Sequence, residues 1–318
     1  MKPEQVPRPQ VQAPPTPAPV APAADAAQTP VFRTCSALVR IDVQVLKAGR
    51  PLTGLSREDF VVTDEGQSVA VESFGHDNTP LQVALLVDVS GSMSKLLEEM
   101  TAVAAKALGA MKPDDQVGVV VFGRRIVPLL EFTSDMRAAA RMVQEAPMER
   151  DVGAGTMLNN AVLDTLQWVI GQPPFAGRRS LLVLTDNRGV HYQTPDEKVL
   201  RALAGLDTTL NAIVPQAAKP PAHVPKGPGV NPDFTPPDVF KLAAETGGEV
   251  LRADKSGARF IEMMERMRER YDLSIRPQPG PEGSFRRLEV QLSASAKARL
   301  GKVEVHARAG YYTTPSVQ

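Results

Sequence analysis

Between residues 81 and 270, short apolar runs alternate with segments of helical periodicity, and that alternation narrows the folds open to this chain more than any other feature. The runs at about 81–87, 117–122, 180–185 and 209–214 are continuous rather than alternating. Strands of that kind are covered on both faces. Between them, Leu96, Leu97, Met100, Val103, Ala104, Ala107, Leu108 and Met111 form one helical stripe, and Leu158, Ala161, Val162, Thr165, Leu166 and Val169 form another. Further helices are expected over 135–146, 196–205 and 237–246, the last ended by Gly247-Gly248. A short strand at 249–252 then leads to a final helix at about 257–270 bearing Phe260, Met264, Met267 and Tyr271. Residues 126–132, after the Gly123-Arg124-Arg125 turn, read as an antiparallel edge strand. The expected class is α/β: a doubly wound, mostly parallel sheet over 80–270.

On either side of this region the period falls to two. Val39, Ile41, Val43 and Val45 alternate with Arg40, Asp42 and Gln44. Phe60–Thr63, the turn at 64–67 and Ser68–Phe74 read as strand, turn, strand. After 270, Leu273 and Ile275, then Leu288, Val290 and Leu292, then Val303 and Val305 mark further strands. Neither flank, 31–79 or 271–313, can bury a face alone. The economical expectation is that both pair into one small β-sandwich-like module, with the 80–270 domain inserted between them. Residues 1–30 are a Pro/Ala-rich linker, and 314–318 a tail.

Lys+Arg and Asp+Glu balance at 36 each, so composition gives no sign of a nucleic-acid partner. No apolar run approaches the roughly 18 residues of a membrane span, so no transmembrane segment is expected. The single cysteine, Cys35, excludes an internal disulfide and reads as an inert thiol. Met1-Lys2-Pro3-Glu4 lacks the apolar core of a secretory signal, which read literally means a cytoplasmic chain. The Pro/Ala tract is of a kind that follows export signals, so a clipped signal or misplaced start leans the expectation to the periplasm or outside the cell. A second Pro-rich stretch, 215–237, follows a strand and is expected at the carboxyl edge of the sheet.

Ligands bind open parallel sheets at the carboxyl ends of their strands. At the first of these ends stands Asp88-Val89-Ser90-Gly91-Ser92, a carboxylate and two hydroxyls at alternate positions. Gly153-Ala154-Gly155-Thr156 precedes the helix starting near 157, and Asp186 closes the 180–185 run. Each has an ordinary reading alone: a capped Ser turn, a Thr helix cap, an Asp strand-end turn. Together they place two carboxylates and three hydroxyls on three loops of one edge, a hard oxygen set suited to Mg²⁺ before Zn²⁺.

The order and flanks of these motifs resemble the metal-ion-dependent adhesion site of von Willebrand factor type A (VWA) domains. The segments carrying the resemblance are Leu85–Met93, Gly155–Ala161 and Leu184-Thr185-Asp186, within about 81–270. More closely, the chain is similar to bacterial VWFA-related proteins of Acidobacterial type with flanking β segments, through Gly54–Phe60 and Ala309-Gly310-Tyr311-Tyr312. The resemblance implies a Rossmann-like fold with a metal held by Asp88, Ser90, Ser92, Thr156 and Asp186. Ser90 and Ser92 would bind directly, Thr156 directly or through water, and the two aspartates largely through water and hydrogen bonds. It implies Mg²⁺, with Mn²⁺ or Ca²⁺ as alternatives, and a protein ligand that offers Asp or Glu to the metal. Asn187 departs from the pattern, since Gly often follows the last Asp. Arg188, His191 and Tyr192 are expected on the partner-binding rim.

The expected function is therefore a metal-dependent protein-binding module. The alternatives are an assembly component with a stabilising metal and a Mg²⁺-dependent enzyme. Against catalysis, no P-loop, H-E-x-x-H or G-x-S-x-G motif occurs, and no histidine neighbours a candidate nucleophile.

Overall fold

The computed structural model describes residues 38–76, 79–189, 191–192, 194–221 and 234–313, without the side chains of 191–192 and 234–235. The expectations for the 1–30 linker, Cys35, residues 222–233 of the Pro-rich stretch and the 314–318 tail lie outside the described residues. Contacts divide the chain into Met1–Cys35 and Ser36–Gln318, and the described residues all belong to the second unit.

Six strands form the central sheet, in the order Val250–Arg252, Thr208–Val214, Arg178–Leu184, Leu81–Asp88, Gln116–Phe122, Ile126–Thr133. The first five run parallel and the last is an antiparallel edge strand. Every residue of Leu81–Asp88 is buried because helices cover both faces. Val83, Leu85 and Val87 pack with helices Ser94–Thr101, Ala104–Leu108, Met136–Glu145 and Ala258–Arg268. Ala84 and Leu86 point the other way, towards Leu158–Ile170, Asp196–Gly205 and Val239–Thr246. A fully buried Leu or Val stabilises by about 2 kcal/mol, so both faces pin the register of this strand.

The flanks build two further sheets. One runs Glu304–His306, Val39–Lys47, Tyr271–Ile275, Val71–Gly75, with Arg50–Pro51 beside Val39–Lys47. The other runs Gly310–Tyr312, Phe285–Leu292, Phe60–Asp64, Gln67–Val69. Each draws strands from before residue 80 and after residue 270. Their shared core holds Ile41, Val43, Val45, Phe60, Val62, Leu273 and Leu288.

These sheets overturn the expected fold class. Of 13 strand pairings among the described residues, nine are antiparallel and four parallel. The chain is therefore not a doubly wound, mostly parallel α/β protein with a minor β appendage. The reason is physical. Strands such as Arg50–Pro51, Gln67–Val69, Glu304–His306 and Gly310–Tyr312 span only two or three residues, too few for a period of two to register in the sequence.

Three local differences have clear causes. The stripe from Leu96 to Met111 is broken at Val103 (φ −113°, ψ 4°), where the backbone of Gly257 (φ +69°) packs so closely that a Cβ would strike Val103 and the Glu99 carbonyl. Tyr271 lies on a strand, not the final helix, which ends at Arg268. Its ring packs on Phe60 and Phe74, while its hydroxyl donates to Leu52 O (2.8 Å) and accepts from Leu55 N (3.1 Å). Finally, Ala294–Leu300 is a helix with Ser293 accepting from Ala296 N at its start and Gly301 at its end.

Buried arginines join the central sheet to the flanks. Arg178 reaches Asp42 Oδ1 (3.1 Å), Met267 O (3.0 Å) and Arg268 O (2.9 Å). Arg270 pairs with Asp42 Oδ2 (3.2 Å), and Arg308 with Asp207 (2.8 Å). Asp42 sits on the first flank strand, so one carboxylate anchors two guanidiniums from sequence-distant elements. No helix among the described residues is long and apolar enough to cross a membrane.

Candidate functional site

The parallel register decides which side chains meet at the carboxyl edge. Asp88 stands opposite Phe122, and Val87 opposite Leu184, so the chain leaves all three strands at one level. After Asp88 it turns through the 3-10 segment Gly91–Met93 into helix Ser94–Thr101. Met93, fully buried, holds that turn down, and Ser94 Oγ donates to Gly91 O (2.8 Å). The turn leaves Ser92 exposed and Ser90 half-buried, their hydroxyl oxygens 3.3 Å apart.

Asp88 is fully buried. Its Oδ1 accepts from Ser90 N (3.0 Å) and its Oδ2 from Thr185 Oγ1 (3.0 Å). Burial pushes its carboxyl above the usual range, the Ser90 and Thr185 hydrogen bonds oppose the rise, and the neighbouring Asp186 charge adds to it. Asp186 is also buried, at 6 % exposure. Its Oδ1 accepts from Arg188 N (3.0 Å), whereas Oδ2 has no hydrogen-bond partner and lies 3.8 Å from Arg188 Nε.

Thr156 lies before helix Leu158–Ile170 and is not its cap: the N-cap residue is Met157, without a side-chain cap bond. That leaves the Thr156 hydroxyl outside the ordinary reading. Gly189 (φ +136°) brings the 186–189 loop against it so closely that a Cβ at 189 would strike the Thr156 carbonyl oxygen. The Asp151–Thr156 segment is held in turn by Arg125 N to Val152 O (2.9 Å) and Met157 N to Gly123 O (3.0 Å). Gly123 is required there, since a Cβ would meet the carbonyls of Gly153 and Gly155.

Asn187, the departure from the family pattern, has φ +58°, a conformation Asn tolerates better than most residues. Its side chain adds a function that Gly lacks: Nδ2 donates to Lys219 O (3.1 Å) and Oδ1 accepts from Val239 N (3.0 Å). This ties the loop to the start of helix Val239–Thr246. Of the expected rim, Arg188 is exposed beside Asp186. His191 and Tyr192 form a backbone ribbon with Phe234–Thr235, and their side chains lie outside the described residues. Thr185 was not among the expected site residues, yet it holds Asp88 and also accepts from Asn187 N (3.2 Å).

Among the described residues, no group of three or more His, Cys, Asp or Glu side chains is placed to hold a metal ion. Asp88 and Asp186 offer carboxylate oxygens, and Ser90, Ser92 and Thr156 offer hydroxyls. That donor set fits a hard cation such as Mg²⁺, and the partnerless Asp186 Oδ2 is an acceptor that such a cation or its waters would satisfy.

Residues 83–189, about a third of the chain, match the family model of the von Willebrand factor type A domain, which supports a VWA-type fold over that stretch. No curated protein is detectably similar to the chain in sequence. Among solved structures, it is similar to BatB from Bacteroides thetaiotaomicron (20% identity, TM-score 0.45, covering 59% of this chain and 97% of that one). An aerotolerance-related membrane protein from Bacteroides fragilis aligns at 19% identity and TM-score 0.44, over 59% of this chain and 98% of that one. A von Willebrand factor type A protein from Catenulispora acidiphila aligns at 14% identity and TM-score 0.44, over 90% of this chain and 76% of that one.

Proposed function

We propose that the chain is a divalent-metal-dependent protein-binding module whose site is formed by Asp88, Ser90, Ser92, Thr156 and Asp186. The observation that carries this reading is the pair of buried carboxylates at one sheet edge, one of them with an oxygen that no protein donor satisfies. Burying such charges without compensation costs several kcal/mol, which a cation would offset. Ser90 and Ser92 would present hydroxyl oxygens, Thr156 a third, and the aspartates would orient them or bound water. When bound, a divalent ion held mainly by neutral oxygens keeps charge with which to attract a carboxylate of a partner. Thr185 fixes the Asp88 rotamer, and Asn187 fixes the loop that carries Asp186.

Binding is favoured over turnover because the Ser90 and Ser92 hydroxyls lie 3.3 Å apart and the carboxylate beside them, Asp88, is already engaged by Ser90 N and Thr185 Oγ1, an arrangement of oxygen donors rather than of a nucleophile with a free base. The test is calorimetric titration of the chain with Mg²⁺, followed by capture of binding proteins from the source cell in Mg²⁺ and in EDTA. Mg²⁺ uptake that Asp88→Ala abolishes, with partners retained only in Mg²⁺, supports the reading. Capture unchanged by EDTA refutes it.

A further inference from the structure

At the amino ends of the central strands, where they meet the flank sheets, the protein encloses a cavity of about 210 Å³. Arg179 on strand Arg178–Leu184 and Thr208 on strand Thr208–Val214 are register partners, and both line it. At about 3.3 Å per residue, the run from Arg179 to Asp186 sets the cavity roughly 20 Å from the edge that carries Asp88. Its apolar walls come from two parts of the chain: Leu200 and Ala204 from helix Asp196–Gly205, Phe285 and Tyr312 from the strands after residue 270. Phe285 is 47% exposed, unusual for so large an apolar side chain, and its ring meets that of Tyr312 edge-on at 5.2 Å. Arg201 lies over the Tyr312 ring at 4.2 Å and braces it.

Nine charged side chains line the cavity, five basic and four acidic, and seven of them are matched. Arg178 pairs with Asp42 (3.1 Å), Arg308 with Asp207 (2.8 Å), Lys241 with Glu197 (3.6 Å) as well as Asp196 (3.3 Å), and Arg40 with Asp272 (3.5 Å). Among the described residues, Arg179 and Glu245 have no ion-pair partner, and they do not pair with each other. Glu245 is exposed, so water solvates its carboxylate. Arg179 is half-buried. Its Nη2 donates to Phe175 O (3.1 Å), whereas its Nε is buried and donates to nothing. The sign of the missing charge follows from that contrast: the guanidinium, drawn out of water without a counter-ion, is the group that a ligand would satisfy. The volume lies below the roughly 300–1,000 Å³ of sites for drug-sized ligands, so the occupant is smaller.

We propose that this cavity is a second ligand site, for a small organic monocarboxylate with an aryl or short alkyl body. The carboxylate pairs with Arg179, and the body packs on Leu200, Ala204, Phe285 and Tyr312. Nothing in this depends on a metal at Asp88. Because the walls belong to both the central domain and the flanks, an occupant clamps the two together and stabilises the folded chain.

The test is calorimetry of the full chain in EDTA, which prevents any carboxylate from ligating a metal at Asp88. The probes are benzoate, phenylacetate, 3-phenylpropionate, 4-phenylbutyrate and hexanoate, each beside its neutral amide. At least one acid should bind with a dissociation constant of roughly a millimolar or below and raise the melting temperature. Its amide should bind about tenfold more weakly, the loss expected of a charge-assisted hydrogen bond. Arg179→Gln should bring the acid down to the affinity of its amide. Arg137→Gln, the same change at an exposed position on helix Met136–Glu145, should leave the preference intact. Ala204→Leu fills the cavity and should weaken acid and amide alike by roughly tenfold. If that variant folds poorly, Phe285→Ala at the exposed wall should weaken both by about threefold. The proposal falls if no acid in the series binds better than its amide, or if the preference survives Arg179→Gln. It also falls if neither Ala204→Leu nor Phe285→Ala weakens binding.

Discussion

Replacing Asp272 by Asn should stabilise the chain at neutral pH, and the gain should vanish in acid. Asp272 lies on strand Tyr271–Ile275 directly opposite Asp42, so two carboxylates face each other across a ladder. Asp42 is compensated by Arg178 and Arg270. Among the described residues Asp272, with a side chain 13% exposed, pairs only with Arg40, whose Nε lies 3.5 Å away, and its Oδ1 accepts no hydrogen bond. Burial raises its carboxyl from 3.8 to about 6; Arg40 and Arg178 pull it down, while Asp42 and Asp207 push it further up. That rise corresponds to about 3 kcal/mol between the protonation states. Between pH 3.8 and 6 the folded chain holds more protons than the unfolded one, so stability falls as pH rises through this window. Asn cannot ionise and escapes the penalty. Urea unfolding of both proteins should therefore show Asp272→Asn more stable by roughly 1–3 kcal/mol above pH 7, converging with the parent near pH 4. A variant that is less stable at neutral pH, or whose difference does not change with pH, would refute the reasoning.

Thr185→Val keeps the shape and removes the hydroxyl that donates to Asp88. It should cost about 1–3 kcal/mol in unfolding experiments and weaken Mg²⁺ uptake in calorimetry. Gly189→Ala adds a Cβ against the Thr156 carbonyl at a positive φ and should lower Mg²⁺ affinity with little change in melting temperature, because the loop is at the surface. Arg178→Met leaves Asp42 with one guanidinium and frees the Met267 and Arg268 carbonyls; a loss of about 3–5 kcal/mol by urea unfolding is expected.

The central sheet was legible because its strands are long, apolar and bracketed by helical stripes, as at Leu81–Asp88. The placement of candidate positions 88, 90, 92 and 186 at one sheet edge was legible for a related reason, since each sits at or just beyond the end of such a strand. Thr185 was not, because its partner Asp88 is set by register between Leu81–Asp88 and Arg178–Leu184, which no local pattern records. The dominance of antiparallel pairing was missed because it arises in pairs such as Val39↔Ile275 and Leu292↔Phe60, made of strands far apart in the chain and often very short. Helix Ala294–Leu300 carried readable signals, Ser293 at one end and Gly301 at the other, that the neighbouring strand pattern obscured.

The shared flank sheets impose an order on folding during synthesis. Strand Val39–Lys47 pairs with Tyr271–Ile275, Glu304–His306 and its own short neighbour Arg50–Pro51. The ribosome must therefore add some 200 residues after the first flank emerges before its main partner exists, roughly 10–40 s at ordinary elongation rates. Through that interval the central sheet can close within its own segment, while Ile41, Val43 and Val45 lack Tyr271–Ile275, the strand that pairs along most of theirs. Newly made chains thus pass through a stage with an open apolar edge, the point at which a holding chaperone would matter most.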